Sequence, residues 1–533
     1  MQFFRTLSKT FLNAFAALPA CVSIALLTLA APASAQQRDK PQDKNVDNQL
    51  HKIGHIIVIY QENWSFDSLY GLFPGANGLA NSFGQIPQLD RTAVPAYSAL
   101  IYQTPSPLTG FPLAIDPSFP STNGKLAYQG NHNLPLPLIP YDFTDYVAGN
   151  SLTGDIVHRF LHEQLQIDNG ALEPKDGDLD KFVTWSDNPG LVLSYLDATP
   201  LPEGQLAKKY TLCDKFFHSA YGGSFLNHQW LIAAASPPWT APIPAGWTSS
   251  YDSGTKTLFD NQLSSDGKFG VNTIQPLLAP FSPNTPTAKR LLINNSDVNK
   301  PGYTPNIGNR LDEAHINWRW YSGGWSEALT NNVQANTDLF QFHHQPFAYY
   351  DKYAPFLTAP TTNYTSTPTL NPATTGPDAH LQDETNFLAD VTSGKLPPVA
   401  FVKPIGKNNE HPGYADVVTG QQHVADLVKA VKNSKIWKDC IIIVTYDENG
   451  GRWDHVAPPV RSDGWGVGVR VPGIVISPFV GNGVIDDHEY ETVSILKLIE
   501  RRFGLAPLSS RDADPAVSDL TTVLQFNEGD DDD

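Results

Sequence analysis

Two short runs of β-branched and aliphatic residues stand out along the chain, and polar residues follow each of them at once. Residues 55–60 lead into the polar segment 61–63, and residues 440–446 lead into the acidic segment 447–449. A continuous apolar run of this length predicts a strand that is buried on both faces. Open α/β sheets bind ligands at the carboxyl ends of their strands, so the two patterns together predict a site at one edge of a sheet.

Further apolar runs alternate with segments of helical spacing over the rest of the chain. Residues 399–402 and 469–476 are predicted strands, and helical spacing occurs in residues 155–170, 421–433 and 490–503. This alternation predicts an α/β sandwich with a mixed or mostly parallel sheet. Three loop-rich stretches, which we interpret as insertions that form a cap over the sheet, are residues 85–150, 237–305 and 354–380.

The first 35 residues have the pattern of an export signal. Arg5 and Lys9 provide a basic start, residues 11–31 are mostly apolar, and residues 33–35 form an Ala-Ser-Ala cleavage site. A retained membrane anchor is the competing interpretation, because the apolar stretch approaches spanning length. We predict cleavage, no stable membrane anchor afterwards, and a periplasmic or secreted protein. The predicted parts that follow are a disordered linker at 36–50, a large domain at 51–510 and an acidic tail at 511–533.

Charge and cysteine content limit the function classes. The net charge of −18 argues against a partner that is nucleic acid held by bulk charge, since such binding needs a basic face. Cys213 and Cys440 are the cysteines that remain after removal of the signal. A disulfide between them is permitted after export if their strands are neighbours, and the alternative is a pair of buried free thiols. The oligomeric state is left open.

Four oxygen-bearing residues at the two predicted strand ends suggest a metal site. They are Glu62, Asn63, Asp447 and Glu448. Buried carboxylates are costly unless a positive charge compensates them, and a divalent cation would do so. Oxygen ligands favour Mg²⁺, Ca²⁺ or Mn²⁺, whereas histidine ligands would favour Zn²⁺ or Fe. The alternative is that Asn63 or Asp447 merely caps the next helix or turn.

Ser224 is a candidate nucleophile. It follows Gly222 and Gly223, which permit a sharp turn, and precedes a helical stretch at 227–235. A helix that begins near Ser224 would direct its free amides at an oxyanion such as phosphate, and a metal could activate the hydroxyl. The alternative is a serine that only caps the helix. The segment lacks the G-x-S-x-G pattern of the α/β-hydrolases.

Several histidines are candidates for contacts with a phosphoryl group. They are His158, His343, His344 and His411. Phosphoryl transfer needs donors for the phosphate oxygens and a proton source for the leaving alcohol, and histidine can provide both. Each of these histidines alone is more often structural than catalytic. His455 is a candidate for orienting the metal-binding acids from outside the coordination shell.

Two long spaced motifs resemble the signatures of a known family. Residues 61–71 resemble the Q-E-N-R-S-F-D-x-x-x-G signature of the bacterial phosphoesterases. Residues 447–459 resemble their second motif, D-E-N-G-G-x-x-D-H-V-x-P-P. Residues 311–321 and 490–505 are also similar to the family's linking segment and its C-terminal helix. The resemblance extends over residues 53–505.

The resemblance implies an alkaline-phosphatase-like α/β/α sandwich and a phosphoric ester substrate. It implies that Glu62, Asn63, Asp447 and Glu448 bind one divalent metal ion and that Ser224 takes up the phosphoryl group. It also implies that His158, His344 and His411 surround the phosphate, with His343 beside them; His162 is an alternative to His158. Asn227 is predicted, like His455, to lie just outside the coordination shell of the metal.

The segment around Ser224 distinguishes between branches of the family. Phospholipase C members carry G-P-T-x-P-N-R around a threonine nucleophile, whereas residues 222–228 read Gly-Gly-Ser-Phe-Leu-Asn-His. This difference favours an acid phosphatase acting on phosphate monoesters, with phospholipase C acting on phospholipids as the alternative. A non-catalytic phosphate-binding protein is a remote alternative. A sulfatase would need a C/S-x-P-x-R motif, which the segment lacks.

Overall fold

The computed structural model describes residues 46–82, 88, 140–145, 148–168, 179–188, 191–278, 280–281, 285–330, 340–356, 370–371 and 379–526. The chain divides into Met1–Lys44 and Asn45–Asp533, and all described residues belong to the second unit. The predicted signal at 1–35 and most of the predicted linker at 36–50 lie outside the described residues. Most residues of the predicted insertions at 85–150 and 354–380 also lie outside the described residues.

Sixteen strands and nine α-helices are numbered here in chain order within the described residues. The strands are β1 (His55–Gln61), β2 (Tyr141–Asp142), β3 (Ser194–Tyr195), β4 (Thr211–Cys213), β5 (Phe216–Phe217), β6 (Ser250–Asp252), β7 (Thr257–Phe259), β8 (Gln275–Pro276), β9 (Arg290–Leu291), β10 (Trp318–Ser322), β11 (Leu381–Asp383), β12 (Val399–Lys403), β13 (Cys440–Tyr446), β14 (Gly473–Ile476), β15 (Val484–Asp486) and β16 (Tyr490–Glu491). The helices are α1 (Phe66–Tyr70), α2 (Phe160–Ile167), α3 (Pro202–Lys209), α4 (Ser224–Ala233), α5 (Ile307–Glu313), α6 (Trp325–Thr330), α7 (Glu384–Ser393), α8 (Val417–Lys432) and α9 (Thr492–Phe503).

One eight-stranded sheet organises the unit, with strand order β11-β10-β12-β1-β13-β14-β4-β15. The first five strands in this order, from β11 through β10, β12 and β1 to β13, pair in parallel. Strand β14 is antiparallel to both β13 and β4, and β15 is parallel to β4. Helices cover both sides of this sheet. The predicted α/β sandwich with a mostly parallel sheet is therefore confirmed.

The two apolar runs of the sequence form neighbouring central strands. β1 and β13 pair in register from His55 opposite Cys440 to Gln61 opposite Tyr446. Every residue of β13 is buried, and so is every residue of β1 after His55, as a strand packed on both faces requires. Both strands end at the same edge, which places segments 62–63 and 447–448 side by side.

Helix α8 illustrates how the flanking layers form. Asp416 caps its first turn by accepting a hydrogen bond from the Thr419 amide at 2.9 Å. Val424, Leu427 and Val431 lie at helical spacing on the buried face. α8 packs against α3 and α7, while α4 packs against α9. The predicted helices at 421–433 and 490–503 are confirmed by α8 and α9.

Cys213 and Cys440, whose pairing the sequence left open, do not form a disulfide. Strand β14 lies between β4, which carries Cys213, and β13, which carries Cys440. Both thiols are buried and free, so the alternative of two unpaired cysteines is correct. Sequence could not decide between the two alternatives, because it does not show that a third strand separates the cysteines.

Both predicted end segments are more ordered than expected where the structure describes them. Residues 46–49 are helical, Leu50 is buried, and Asp47 lies 2.6 Å from Arg501. The tail predicted from residue 511 is also packed as far as residue 526, because Arg511 binds the buried Glu491 and Leu520 enters the core. The folded domain is therefore longer at both ends than predicted.

The predicted helix at 155–170 is shorter than expected, since α2 begins at Phe160. His158 therefore lies in the loop before the helix rather than on it. Among the described residues, helices of the length and apolarity that a bilayer crossing needs were not found.

Candidate active site

A tight turn presents Ser224 at the first residue of α4. Gly222 has φ of +88°, and a Cβ atom there would lie 2.6 Å from the Phe160 amide nitrogen. A Cβ atom at Gly223 would lie 2.8 Å from the His158 carbonyl oxygen, so both positions require glycine. The Ser224 hydroxyl donates to Glu62 Oε2 at 3.2 Å. The predicted helix start and the predicted proximity of the serine to the acids are both found.

Asn227 stabilises this turn from within the helix. Its Oδ1 accepts from the Ala220 amide at 3.1 Å, and its Nδ2 donates to the Gly222 carbonyl at 2.9 Å. The side chain thus bonds both ends of the segment 220–222, directly before the nucleophile.

A buried acid and histidine that were not predicted hold the turn from the other side. Glu163 Oε2 accepts from the Gly222 amide at 2.5 Å, and Glu163 Oε1 lies 2.8 Å from His218 Nε2. His218 Nδ1 lies 2.9 Å from the carbonyl oxygen of Ala220. Glu163 and His218 thus contact the nucleophile turn at Gly222 and at Ala220. No local motif marks these two residues, because they meet Gly222 only in the folded chain.

The four predicted metal-binding residues converge at the shared edge of β1 and β13, and all are fully buried. Asp447 Oδ1 accepts from the backbone amides of Asn63 at 3.1 Å and Glu448 at 2.8 Å. Asn63 has φ of +66°, an uncommon conformation that marks strained functional segments. Gly450 makes this possible, because a Cβ atom there would lie 2.5 Å from the Asn63 carbonyl oxygen.

The acids differ in their electrostatic surroundings. Burial and the nearby Glu62 charge raise the pKa of Asp447 well above its usual value. Burial and the Asp447 charge raise the pKa of Glu448 in the same way. Burial alone would also raise the pKa of Glu62, but His344 and Lys403 outweigh it and hold that pKa well below its usual value. Glu62 is therefore the acid that stays ionised most readily.

Lys403 and His228 also contact or approach Glu62 and were not predicted. Lys403 is fully buried at the end of β12, where its Nζ contacts Glu62 Oε1 and donates to the Tyr60 carbonyl at 3.0 Å. His228 Nε2 lies 3.9 Å from Glu62 Oε1. Two signals could have found them: Lys403 ends the strand beside β1, and His228 lies one helical turn after Ser224.

His344 lies closer to the acids than predicted. Its Nε2 is 3.0 Å from Glu62 Oε1, and only 3% of the residue is exposed. Burial lowers the pKa of His344 to about 4, so the imidazole is neutral at pH 7. Its ring stacks on that of His228, with 5.2 Å between the ring centroids.

The residues at this edge fit a divalent cation. Asn63 Oδ1 and Glu448 Oε1 are buried and accept no hydrogen bond within the described part of the chain. Glu62, His228 and His344 offer ligand atoms that lie within 4.8 Å of one another. Buried acceptors without donors are rare unless a cation satisfies them. Oxygen ligands with histidine close by suit both the harder ions and Zn²⁺ or Fe.

A cavity of about 480 Å³ opens onto the Ser224 side chain. Three of the predicted histidines line it, namely His158, His343 and His411. The Nδ1 atoms of His158 and His411 each face a backbone carbonyl, and His158 Nε2 lies 3.5 Å from Asn63 Nδ2. Burial lowers the pKa of His343 well below its usual value, which keeps this imidazole neutral.

His162, the alternative to His158, has a different role. It is buried on α2, and its Nδ1 lies 3.0 Å from Asp260 Oδ2. The same oxygen accepts from the amides of Leu161 and His162, so Asp260 holds the first turn of the helix. His158 instead has its Nε2 atom 3.6 Å from Glu448 Oε1. The structure thus places His158, and not His162, at the cavity.

His455 lies in a buried cluster with Asp67, Asp454 and Arg470. Asp67 Oδ2 accepts from the backbone amide of His455 at 2.7 Å and lies 2.6 Å from its Nδ1. Arg470 binds both Asp67 and Asp454 in this cluster. Asp67, which lies in the first motif, thus orients the histidine, and a role of His455 in orienting the metal-binding acids stays a prediction.

Comparison with known proteins agrees with this arrangement. The profile of the phosphoesterase family matches residues 53–506. The chain belongs to the phosphoesterase family. It is accordingly a hydrolase that acts on phosphoric ester bonds.

Relatives within the family have been named phospholipases C. Phospholipase C A of Mycobacterium tuberculosis is 25% identical over 509 residues, which cover 90% of this chain and 78% of the relative. The non-hemolytic phospholipase C of Pseudomonas aeruginosa is 23% identical over 513 residues, which cover 90% and 58%. Non-specific phospholipase C6 of Arabidopsis thaliana is 32% identical over 178 residues, or 26% and 34% of the two chains.

Solved structures show only a distant likeness. A protein of the alkaline phosphatase superfamily from Vibrio parahaemolyticus matches with a TM-score of 0.28 and 12% identity, over 60% of this chain and 63% of that one. The lipoteichoic acid synthase LtaP of Listeria monocytogenes matches with a TM-score of 0.29 and 10% identity, over 61% and 70%. Superpositions at this level carry no argument about the fold or the function of this chain.

Proposed function

We propose that this phosphoesterase hydrolyses phosphate monoesters with polar alcohol groups through a phosphoseryl intermediate on Ser224. The observation that supports this most is the polar wall of the cavity beside Ser224. Six of the residues that line it with the histidines are charged or carry amides, alongside Ile156, Val157, Phe225 and Tyr414: Asp155, Arg159, Asp187, Gln262, Asn272 and Gln341. Such a wall favours a hydroxylated leaving group over the acyl chains of a lipid, because buried polar groups need hydrogen-bond partners.

The first step is the transfer of the phosphoryl group to Ser224. The hydroxyl proton passes to Glu62 Oε2 as Ser224 Oγ forms a bond to phosphorus, and the bond from phosphorus to the alcohol oxygen breaks on the opposite side. Glu62 Oε2, which accepts from this hydroxyl at 3.2 Å, orients the attacking oxygen. Ser224 is the first residue of a ten-residue helix, so the backbone amides at the start of α4 face the developing negative charge on the phosphoryl oxygens.

The leaving alcohol and the intermediate then need protons and water. His158 and His411 present Nε2 atoms at the cavity, and one of them donates a proton to the departing alkoxide. The same histidine can next take a proton from water as it attacks phosphorus. Phosphate leaves, the bond from phosphorus to Ser224 Oγ breaks, and the serine recovers its proton. His343 is neutral and serves as a hydrogen-bond partner for a phosphoryl oxygen.

Glu62, Asn63, Asp447 and Glu448 would hold one divalent metal ion together with Ser224 Oγ. A bound cation of this kind would lower the pKa of the serine hydroxyl and balance the charge of the phosphate. The ion is one of Mg²⁺, Ca²⁺, Mn²⁺, Zn²⁺ or Fe in this proposal. We also propose that the protein is exported to the periplasm or secreted, which follows from the signal pattern of residues 1–35.

The decisive experiment compares two substrates with purified protein. Phosphate release from p-nitrophenyl phosphate is measured against phosphocholine release from phosphatidylcholine, with and without chelator, from acid to alkaline pH. Faster monoester turnover that chelation abolishes is the expected result. Preferential cleavage of the lipid would establish phospholipase C instead, and tight phosphate binding with no turnover of either substrate would indicate a binding protein.

Ser224→Ala tests the nucleophile in the same assay. We expect a folded protein whose turnover falls by about three orders of magnitude or more. Some turnover should remain, because the other groups of the site still contribute to catalysis. Ser434→Ala is the matched control, because this serine also donates a hydrogen bond, to the Val431 carbonyl at 2.6 Å, but lies before the amino end of β13. Wild-type turnover in Ser224→Ala would exclude Ser224 from the mechanism.

A second candidate function, phospholipase C, is favoured by the names of the relatives. It would require the cavity to admit a phosphodiester, with the second alcohol remaining on phosphorus during the transfer. The segment Gly222–His228 differs from the corresponding phospholipase motif, and this difference is the reason that the monoesterase is preferred.

A further inference from the structure

Two buried carboxyl groups meet behind the candidate active site. Glu203 comes from α3, and Glu410 comes from the loop that follows β12. Both are fully buried, and the Tyr446 hydroxyl lies within hydrogen-bond distance of an oxygen of each, 3.2 Å from Glu203 Oε2 and 2.7 Å from Glu410 Oε2. Two ionised carboxyl groups this close in a buried site without a cation would be very costly, so at least one of them carries a proton. Glu203 and Glu410 together form the carboxyl pair.

The hydrogen bonds of the pair reach three segments of the site. Glu410 Oε1 accepts from Gln61 Nε2 at 2.9 Å, and Glu410 Oε2 accepts from the Tyr446 hydroxyl at 2.7 Å. The Tyr446 hydroxyl also lies 3.2 Å from Glu203 Oε2. Each partner directly precedes a residue of the site: Gln61 precedes Glu62, Glu410 precedes His411, and Tyr446 precedes Asp447.

The local backbone is shaped to admit this arrangement. Glu410 has φ of +72°, which is unfavourable for a residue with a long side chain. Gly420 of α8 makes room for it, because a Cβ atom there would lie 2.1 Å from Glu410 Cγ. The Glu410 carbonyl also accepts from Trp64 Nε1 at 3.0 Å. Strain and burial of this kind persist only where the surrounding structure holds the residue in place.

We propose that the Glu203–Glu410 carboxyl pair is a positioning element whose single shared proton holds Glu62, Asp447 and His411 in their working arrangement. When the proton is lost, two negative charges face each other in a buried site and the hydrogen bond between them cannot form. The segments that carry the three site residues then separate, and activity falls at alkaline pH. The activity readout rests on the proposed function, whereas the stability readout below does not.

The groups that face the pair come from four elements. Tyr446 of β13 and Tyr70 of α1 are the titratable neighbours, and both have a pKa that burial raises well above its usual value, so they stay neutral. Gln61 of β1 and Gln421 of α8 are uncharged partners. Gln61 donates to the Glu410 carboxyl group, and Gln421 Oε1 accepts from the Glu203 backbone amide at 3.2 Å. No ion pair with lysine or arginine joins either carboxyl group within the described residues.

The direction of the pH effect follows from burial. Burial raises the pKa of Glu203 to about 7, and burial together with the Glu203 charge raises the pKa of Glu410 well above its usual value. At pH values between the unfolded and the folded pKa of these groups, the folded state binds more protons than the unfolded state does. The stabilisation is therefore complete below the unfolded pKa values and falls as the pH rises through the folded pKa of Glu203 at about 7, where one proton remains on the pair. It is lost when the pH also passes the folded pKa of Glu410, and the last proton leaves.

Glu203→Gln tests the proposal, since its amide donates to Glu410 without needing a proton. Turnover of p-nitrophenyl phosphate and Tm are measured from pH 5 to 9. We expect the alkaline limb of kcat/KM to move up by at least about one pH unit, and the fall of Tm with pH to become shallower. Glu313→Gln, an exposed acid on α5, is the control and should reproduce the wild-type profile.

A profile of Glu203→Gln that superimposes on the wild type in both measurements would overturn the proposal. If Glu203→Gln does not fold, Tyr446→Phe provides the second test. In the wild-type protein the Tyr446 hydroxyl stabilises the ionised form of the carboxyl pair. Without this hydroxyl the alkaline limb of kcat/KM should again move to higher pH, and an unmoved limb would overturn the proposal. If the wild-type protein cleaves no phosphate ester, the Tm profiles still decide whether the pair holds its proton.

Discussion

Replacing Lys403 by Met tests whether this buried ammonium group is the counter-charge of Glu62. Lys403 is fully buried, its Nζ contacts Glu62 Oε1, and it donates to the Tyr60 carbonyl at 3.0 Å. Methionine has a similar length and no charge, so the substitution removes the ion pair while leaving most of the packing volume filled. Removal of one partner from a buried ion pair costs about 3–5 kcal/mol, because the other charge stays buried without compensation.

The expected change in Tm follows from the size of the folded unit. The entropy of unfolding is about 2 cal/mol/K per residue, or roughly 1 kcal/mol/K for a unit of this length. The Tm of Lys403→Met should therefore fall by about 3–5 °C in the presence of chelator. A bound divalent cation would supply positive charge to the same carboxylate, so the loss should be smaller in the metal-loaded protein.

Scanning calorimetry with chelator, and then with saturating Mg²⁺, Mn²⁺ or Zn²⁺, measures both values. Lys438→Met is the control, because this lysine is exposed beside the start of β13 and its replacement should leave Tm nearly unchanged. An equal loss with and without metal would refute the role of Glu62 as a metal ligand. A wild-type Tm in chelator would refute the buried ion pair itself.

The remaining predictions concern the metal-binding acids and the nucleophile turn. Asp447→Asn keeps the acceptor for the Asn63 amide but removes a charge, and calorimetric titration should show metal binding that is weaker by about tenfold or more; an unchanged affinity would contradict the ligand assignment. Gly222→Ala should abolish turnover and lower stability by about 1–3 kcal/mol, because its Cβ would clash with the Phe160 amide. Gly246→Ala, which also has a positive φ but no atom within 4 Å of the new Cβ, should keep full activity, and equal damage in both variants would contradict the clash.

The sheet and its functional edge could be predicted because they depend on continuous patterns. The apolar run in β13 is uninterrupted, and the polar segments that follow β1 and β13 immediately mark where the strands end. Since parallel neighbours end at the same edge, the proximity of Glu62 and Asp447 followed without further information. Ser224 could be placed at a helix start for a similar reason, since its two glycines and the following helix are adjacent in sequence.

The residues that support the site could not be predicted in the same way. Glu163 and His218 reach the nucleophile turn from α2 and from the segment after β5, and Lys403 and Glu410 reach β1 from β12 and the loop that follows it. None of them forms a motif with its partner in the sequence, and only the fold brings the two together. The contact between His455 and Asp67 is similar, since it joins the two long motifs of the sequence.

The two free cysteines have a practical consequence for producing the protein. Cys213 and Cys440 are buried in the sheet, and burial raises the pKa of both thiols, so neither is a ready nucleophile for oxidation or exchange. The described part of the chain holds together through packing and hydrogen bonds rather than through covalent cross-links. Recombinant folding of this unit should therefore need neither an oxidising compartment nor a disulfide isomerase, and reducing agents can remain in every buffer used for the experiments above.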